Sequence, residues 1–425
     1  MAEPISGNVV AAALEPIAGP VRIDGLTRLS GGASRETWAF DAIAADGTRS
    51  ELVLRRDPPG RPGEPGAMGR EATAIRAAAA AGLAVPEVLV VAEDPAVFGT
   101  AGMVMRRIAG QTIARRILRD DDFAAARAKL TGQLGQFAAG LHALAVPAGF
   151  PAPEPLASLR DSLAGFDSVS PVFELALSEL ERARPAPRRP VLAHGDLRLG
   201  NLIVSDTGLA AVLDWELCHA GDPAEDLGWL CVKAWRFGAP APVAGVGRRE
   251  ELLAAYSEAG GADIGLDELR WWEILGTLRW GVICMTQAQA HLSGAYRSVE
   301  LAAIGRRVAE QEWDLLLLLQ PEEAAAAARR RPQPSGTGVA APAPYGRPTA
   351  SELLEAVREY LTGSVMTSTS GQLAFHARVA ANALAVVARE VELGPPAADA
   401  GLADAVAGRL AVANPRYFDS GSQPS

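Results

Sequence analysis

The chain has 425 residues, 49% of them hydrophobic and 21% charged, with a formal net charge of −10. That length suggests two or three domains at about 150 residues each, and the composition is that of a globular protein with a large core, not of a disordered chain. The acidic balance excludes a general nucleic-acid binder, and three cysteines with no CxxC pair exclude a disulfide scaffold and argue against a cysteine zinc site.

No basic stretch followed by an apolar run opens the sequence, and the block Leu315 to Leu319 is far shorter than the roughly 20 residues that span a bilayer. A cytoplasmic protein without a membrane partner is the expectation. Lys129 and Lys233 are the only lysines, so nearly all positive charge is arginine.

Residues 21–110 form the first unit by pattern. The run VRIDGLTRLSGGASRETWAFDAIAADGTRSELVLRR reads as strand, glycine-rich turn, strand, Asp46-Gly47 turn and strand. After a loop rich in proline and glycine, an alanine-dominated helix is predicted over 68–81 with Gly82 closing it, then strands at 85–91 and 101–108. Residues 111–320 change to long helices, clearest at 123–144 and 267–289, around a strand-and-loop block at 191–213. Residues 321–348, an Ala/Arg tract followed by PQPSGTGVAAPAPYGRP, read as a linker.

Beyond the linker, 349–425 reads as a small all-α module. Thr349 and Glu352 make a capping-box pattern, and Leu353, Leu354, Val357, Tyr360 and Leu361 share one face. Leu373, Ala377, Ala380, Leu384, Val387 and Val391 follow at helical spacing, with a third helix predicted at 402–412. Such a module docks on the body, joins two copies of the chain, or receives a partner.

The sharpest chemical signal is HGDLRLGNLIV at 194–204, followed by AVLDWE at 211–216. Asp196, an asparagine five residues on (Asn201) and an aspartate after a strand (Asp214) keep the order of a phosphotransfer site. A carboxylate beside a hydroxyl orients it and accepts its proton, whereas an amide oxygen and a second carboxylate are hard ligands suited to Mg²⁺. A cap aspartate, a turn asparagine and a strand-end aspartate are the plainer reading; the whole string between apolar strands outweighs it. The absence of a GxxxxGK[ST] string excludes a P-loop kinase, and neither GxSxG nor HExxH occurs. His142, His219, His291 and His376 show no metal-ligand spacing.

These strings resemble the aminoglycoside phosphotransferase and choline kinase family, a branch of the protein-kinase-like fold, and the resemblance spans residues 26–319. It implies an α+β fold of two lobes, a small antiparallel-sheet N-lobe and a larger helical C-lobe, with the all-α module appended. It also implies ATP and Mg²⁺, a small-molecule hydroxyl acceptor, Asp196 as catalytic base, Asn201 and Asp214 as metal ligands, and His194 as a brace of the catalytic loop. Gly31, Gly32 and Ser34 then lie where a loop should cover the nucleotide, the glycines letting backbone approach phosphates. Standing alone, that stretch is a hairpin turn.

The strand lysine of the kinase template is missing. Alternation along ELVLRR puts Val53 and Arg55 on one face, so Arg55 stands in with Glu71 as its partner, unless a register shift exchanges it for Arg56. Arginine holds phosphate bidentately but with a different reach. MVMRRIAG at 103–110 sits where the lobes hinge. In GDPAEDLG, Asp226 reads as structural, bonded to catalytic-loop backbone, and Asp222 stays open. Arg198, Trp215 and Glu216 either border the acceptor or serve structure.

The expected activity is transfer of the γ-phosphate of ATP to a hydroxyl of a metabolite, a hydroxyacyl-CoA or an aminoglycoside-like compound. The hydroxyacyl-CoA is implied by the likeness of LVLRRDPPG and GGASRETW to kinase-like domains that act alongside acyl-CoA dehydrogenases. The alternative is a weak or inactive pseudokinase-like nucleotide binder that docks a partner through its C-terminal helices. The tryptophans at 229–235 and 271–280 fall at helical intervals and read as core; a cage for a quaternary ammonium is the other reading.

Overall fold

The computed structural model describes residues 5–29, 35–60, 63–167, 169–332, 349–395 and 399–419. Gly31, Gly32 and Ser34 therefore lie outside the described residues, as does most of the expected linker.

Strands β1 (Val21–Arg28), β2 (Glu36–Ala44), β3 (Arg49–Arg56), β4 (Val88–Ala92) and β5 (Gly102–Arg106) form one antiparallel sheet in the order β1-β2-β3-β5-β4. Between β2 and β3 the chain reverses at Asp46, whose carboxylate accepts the Thr48 N–H at 2.9 Å, and Gly47 takes a φ of 85°. Alternation gives this sheet two faces. Trp38, Phe40, Leu52, Leu54 and Val104 form one, covered by the helix Gly7–Ala18 through Val10 and Leu14. Met103 and Met105 form the other, under the helix Ala67–Ala80 with Met68, Ala72 and Ile75. The first helix precedes the pattern that marks the sheet.

The second lobe is helical, built on Ala124–His142, Pro171–Arg182, Pro223–Cys231, Arg249–Glu258, Leu266–Leu292 and Val308–Leu319. Two small antiparallel pairs carry its loops: β6 (Val191–Ala193) with β9 (His219–Gly221), and β7 (Leu202–Ser205) with β8 (Gly208–Val212). Gln111 and Val204 exchange two backbone hydrogen bonds, 2.8 and 3.0 Å, and Val212 N–H donates to Ala84 O at 2.8 Å, so the loops of β7 and β8 are anchored beside the smaller lobe. Among the described residues, no helix is long and apolar enough to cross a membrane.

Two boundaries differ from expectation. Residues 321–330, assigned to the linker, are the helix Pro321–Arg330, held by buried Ala324 and Ala327. The C-terminal module is split: Leu402–Ala413 buries Val406, Ala407 and Leu410 in the main core, whereas Ala350–Glu359 buries nothing and Gly371–Leu393 only Ala377 and Ala381. The Thr349–Glu352 capping box does start its helix.

Candidate active site

The segment His194 to Asn201 connects β6 to β7 and is held from below by one carboxylate. Asp226, in the helix Pro223–Cys231, accepts the backbone N–H of His194 at 2.7 Å and of Gly195 at 2.9 Å. It also accepts His142 Nε2 at 3.2 Å, while the Tyr256 hydroxyl sits 2.9 Å from His142 Nδ1. Burial alone would raise the Asp226 pKa, but the His142 hydrogen bond, the histidine charges and the His194 N–H bring it down to about 2. Gly195 is required here: its φ is 77°, and a Cβ would stand 2.4 Å from Leu217 O.

His194 ties this loop to the end of β8. Its Nδ1 accepts the Asp196 N–H at 3.2 Å, and Nε2–H donates to Leu213 O at 3.1 Å. Leu213 N–H donates to Asn201 O at 2.8 Å, which sets Asp214 beside the asparagine. The Asp196 carboxylate takes three donors: Arg198 Nε at 2.9 and 3.1 Å, Asn201 Nδ2 at 2.7 Å, and Trp229 Nε1 at 2.8 Å. Asn201 Nδ2 also donates to Asp196 O at 2.9 Å, so both amide hydrogens are spent and the amide oxygen is left for a cation.

Arginine bridges the lobes. Arg55 Nη1 donates to Glu71 Oε1 at 2.6 Å and Nη2 to Asp214 Oδ1 at 2.7 Å. Arg56 points to the opposite face, onto Glu36 at 2.8–2.9 Å and Phe98 O at 2.9 Å. Burial would lower the Arg55 pKa, but the charges of Glu71 and Asp214 hold it above its ordinary value. Burial likewise works to raise Asp214, and the Arg55 charge and hydrogen bond outweigh it, so its pKa is depressed. Asp214 has a φ of 68°, a left-handed conformation that aspartate tolerates better than bulky side chains.

A second arginine had no assigned part. Arg35, at the start of β2, is buried and also reaches Glu71, with Asp57 at 3.2 Å and Glu216 at 3.9 Å. Its partners come from three places in the chain, so no local pattern marks it. Trp229, read as core, donates to Asp196, and His142, read as unremarkable, supports Asp226. Glu216 lies by Arg35. Trp215 is fully buried, its indole donating to Val212 O at 3.1 Å. Asp222 caps the helix Pro223–Cys231 by accepting Ala224 N–H at 2.9 Å, and burial raises its pKa.

Beyond Asp196, Trp229, Trp235 and Trp280 pack in series, with ring centroids 5.3 and 4.8 Å apart. Arg279, Arg198 and Arg307 lie over these rings at 5.2, 4.7 and 5.6 Å, respectively. Among the described residues, no three His, Cys, Asp or Glu side chains gather to hold a metal. The Asn201 oxygen and Asp214 carboxylate are two hard donors, which fits Mg²⁺ carried in on phosphates rather than a metal caged by protein.

The family model of a phosphotransferase enzyme family matches residues 25–272, more than half the chain. A model described as a domain of unknown function, DUF6285, matches 367–405. The mouse protein acyl-CoA dehydrogenase family member 10 is 30% identical over 196 residues, a match that takes in 43% of this chain and 18% of that protein's length. Among solved structures, a candidate aminoglycoside phosphotransferase of Ralstonia eutropha JMP134 has a TM-score of 0.57 at 19% identity, covering 74% of this chain and 98% of the other. A choline/ethanolamine kinase family protein of Mesorhizobium loti has a TM-score of 0.50 at 24% identity, covering 74% and 95%. These likenesses establish the protein-kinase-like fold.

Proposed function

This chain belongs to the phosphotransferase enzyme family, and on that premise we propose that it moves the γ-phosphate of ATP, carried with Mg²⁺, to a hydroxyl of a small molecule. The observation that supports this most is the Asp196 carboxylate, held by three donors and linked through His194 and Asn201 to the backbone of Leu213, next to Asp214.

In this reading Asp196 lies against the acceptor hydroxyl and takes its proton as the oxygen attacks. The donors from Arg198, Asn201 and Trp229 fix the carboxylate's direction, so the acceptor meets an oriented base. Asn201 and Asp214 hold the metal, and Mg²⁺ supplies charge neutralisation at the phosphate oxygens when it is bound. Arg55 keeps Nη1 on Glu71, and its Nη2 edge, now on Asp214, is the one that can meet a phosphate. Residues 21–320 are assigned to this chemistry.

Melting temperature with ATP, Mg²⁺ and both together tests the site. A ligand at 100 times its dissociation constant adds about 2.7 kcal/mol, so a shift that needs both components is expected. Asp214→Asn should abolish the metal-dependent part. One observation favours a second reading, an inactive nucleotide binder: Arg55 already neutralises Asp214. Mg²⁺-dependent phosphorylation of any small hydroxyl compound rules that reading out.

A further inference from the structure

Arginine at the place of the strand lysine carries a geometric hazard. A lysine offers one charged point, whereas a guanidinium tends to close on a carboxylate with two parallel N–H bonds. That fork is present where Arg188 meets Glu268, through Nε at 2.6 Å and Nη2 at 2.7 Å, and where Arg409 meets Glu312, at 3.1 and 2.9 Å. An Arg55 forked onto Glu71 would draw Nη2 back into the smaller lobe and away from Asp214. The structure has it otherwise. Arg55 gives Glu71 only Nη1, on Oε1 at 2.6 Å, and Nη2 stays on Asp214 at 2.7 Å.

The difference lies in the second oxygen. Arg35 Nη1 donates to Glu71 Oε2, and the Glu71 side chain has no exposed surface through which water could take that place. Glu225 and Glu310 follow the same rule: their second oxygens meet His219 and Asn414, and each engages its arginine, Arg279 or Arg307, through one nitrogen. Arg35 is itself fixed from behind. Its Nε lies 3.2 Å from Asp57 Oδ1, and Asp57 Oδ2 accepts the Gly63 N–H at 2.7 Å. Charges thus alternate in an unbroken ladder, Asp57, Arg35, Glu71, Arg55 and Asp214, from the loop after β3 to the site.

We propose that Arg35 is a positioning residue for the nucleotide: by occupying Glu71 Oε2 it restricts Arg55 to one bond with Glu71 and keeps the Nη2 edge turned towards Asp214 and an arriving phosphate. This inference rests on the phosphotransferase reading and adds a residue to its nucleotide side. Arg35 acts through Glu71 and Arg55, without itself touching the nucleotide. The need for it is particular to an arginine at position 55, because a lysine there has no fork to close on Glu71.

The test is a double-mutant cycle on the full chain, read as the dissociation constant of Mg-ATP by calorimetric titration without any acceptor. Arg35→Met should weaken Mg-ATP about ten-fold when residue 55 is arginine, and no more than about two-fold in the Arg55→Lys background. Arg35→Lys, which still places one donor on Glu71, should recover most of the loss. That coupling is a readout that a merely structural role would not move. Equal weakening in both backgrounds overturns the proposal, since Arg35 would then act independently of Arg55, and so does unchanged affinity in Arg35→Met. If Arg35→Met does not fold, Arg35→Gln, which keeps an N–H for Asp57, takes its place in the same cycle with the same expectation. A wild-type chain that does not bind Mg-ATP overturns the phosphotransferase reading together with this inference, whereas a wild type that binds and a cycle without coupling overturn this inference alone.

Discussion

Two carboxylates near the loop from His194 to Asn201 show how one residue type does different work. Asp226 is wholly buried, and its partners are two backbone N–H groups and a histidine that is itself braced by Tyr256. Asp214 is partly exposed, and its partner is the end of an arginine that reaches across from β3. The first is fixed because every donor belongs to a rigid element; the second is held by a long side chain that can move. A buried carboxylate with complete donors is a foundation, whereas one answered by a movable cation can change partners.

That contrast predicts that changes around Asp196 and Asp214 cost activity and changes at Asp226 cost stability. The largest effect is expected at the proposed base. Asp196→Asn should lower kcat about 10³-fold, within the range for a positioned acid or base, with the melting temperature nearly unchanged; a large loss of stability would erase the distinction. Asp226→Asn should cost about 3 kcal/mol in urea unfolding, because it places an amide against donors that need a carboxylate. An unchanged midpoint would refute its role as foundation.

The arginine bridge sharpens the comparison at a smaller scale. Arg55→Met should raise the KM for Mg-ATP about ten-fold, roughly 1.4 kcal/mol, and Arg55→Lys should recover part of it. Equal loss in both would mean that the bidentate geometry, and not the charge, matters.

The smallest effect is pH dependence. Burial lowers the pKa of His219, but the Glu225 hydrogen bond and charge outweigh it, so the folded value is raised. The stabilisation is complete below the unfolded value of about 6.5 and fades as pH rises through the higher folded value. Asp226 has the opposite sign: its contribution is present above the ordinary carboxylate range and is lost as pH falls towards about 2. Melting temperature against pH should therefore decline on both sides, with His219→Gln flattening the alkaline decline only.

Much of the site was legible because it is local. Asp196 and Asn201 are five residues apart on one loop, and Asp214 follows a two-strand hairpin, so their spacing survives as a string. Strand alternation also separated Arg55 from Arg56, because the side-chain period of two is set by the backbone itself. The helix Gly7–Ala18 was not legible: Ser6 makes no side-chain cap, Pro16 interrupts the pattern, and its apolar face matters only against the sheet. Arg35 escaped because Asp57, Glu71 and Glu216 come together only on folding.

The tryptophans divide the two kinds of knowledge most clearly. Helical spacing marks Trp229 and Trp280 as inward-facing, and they are packed as that spacing predicts. It does not reveal that Trp229 donates to Asp196 or that arginines from three separate segments cover the rings. The sequence by itself determined the order of a sheet-rich and a helical part and the Asp–Asn–Asp string, since these follow from periodicity and short spacing, and the family resemblance carried by that string implied the fold class. Only the tertiary structure decided which arginines meet which carboxylates. Coulombic and hydrogen-bond energies depend on distance in space, and residues more than 30 positions apart acquire that distance only when the chain has folded.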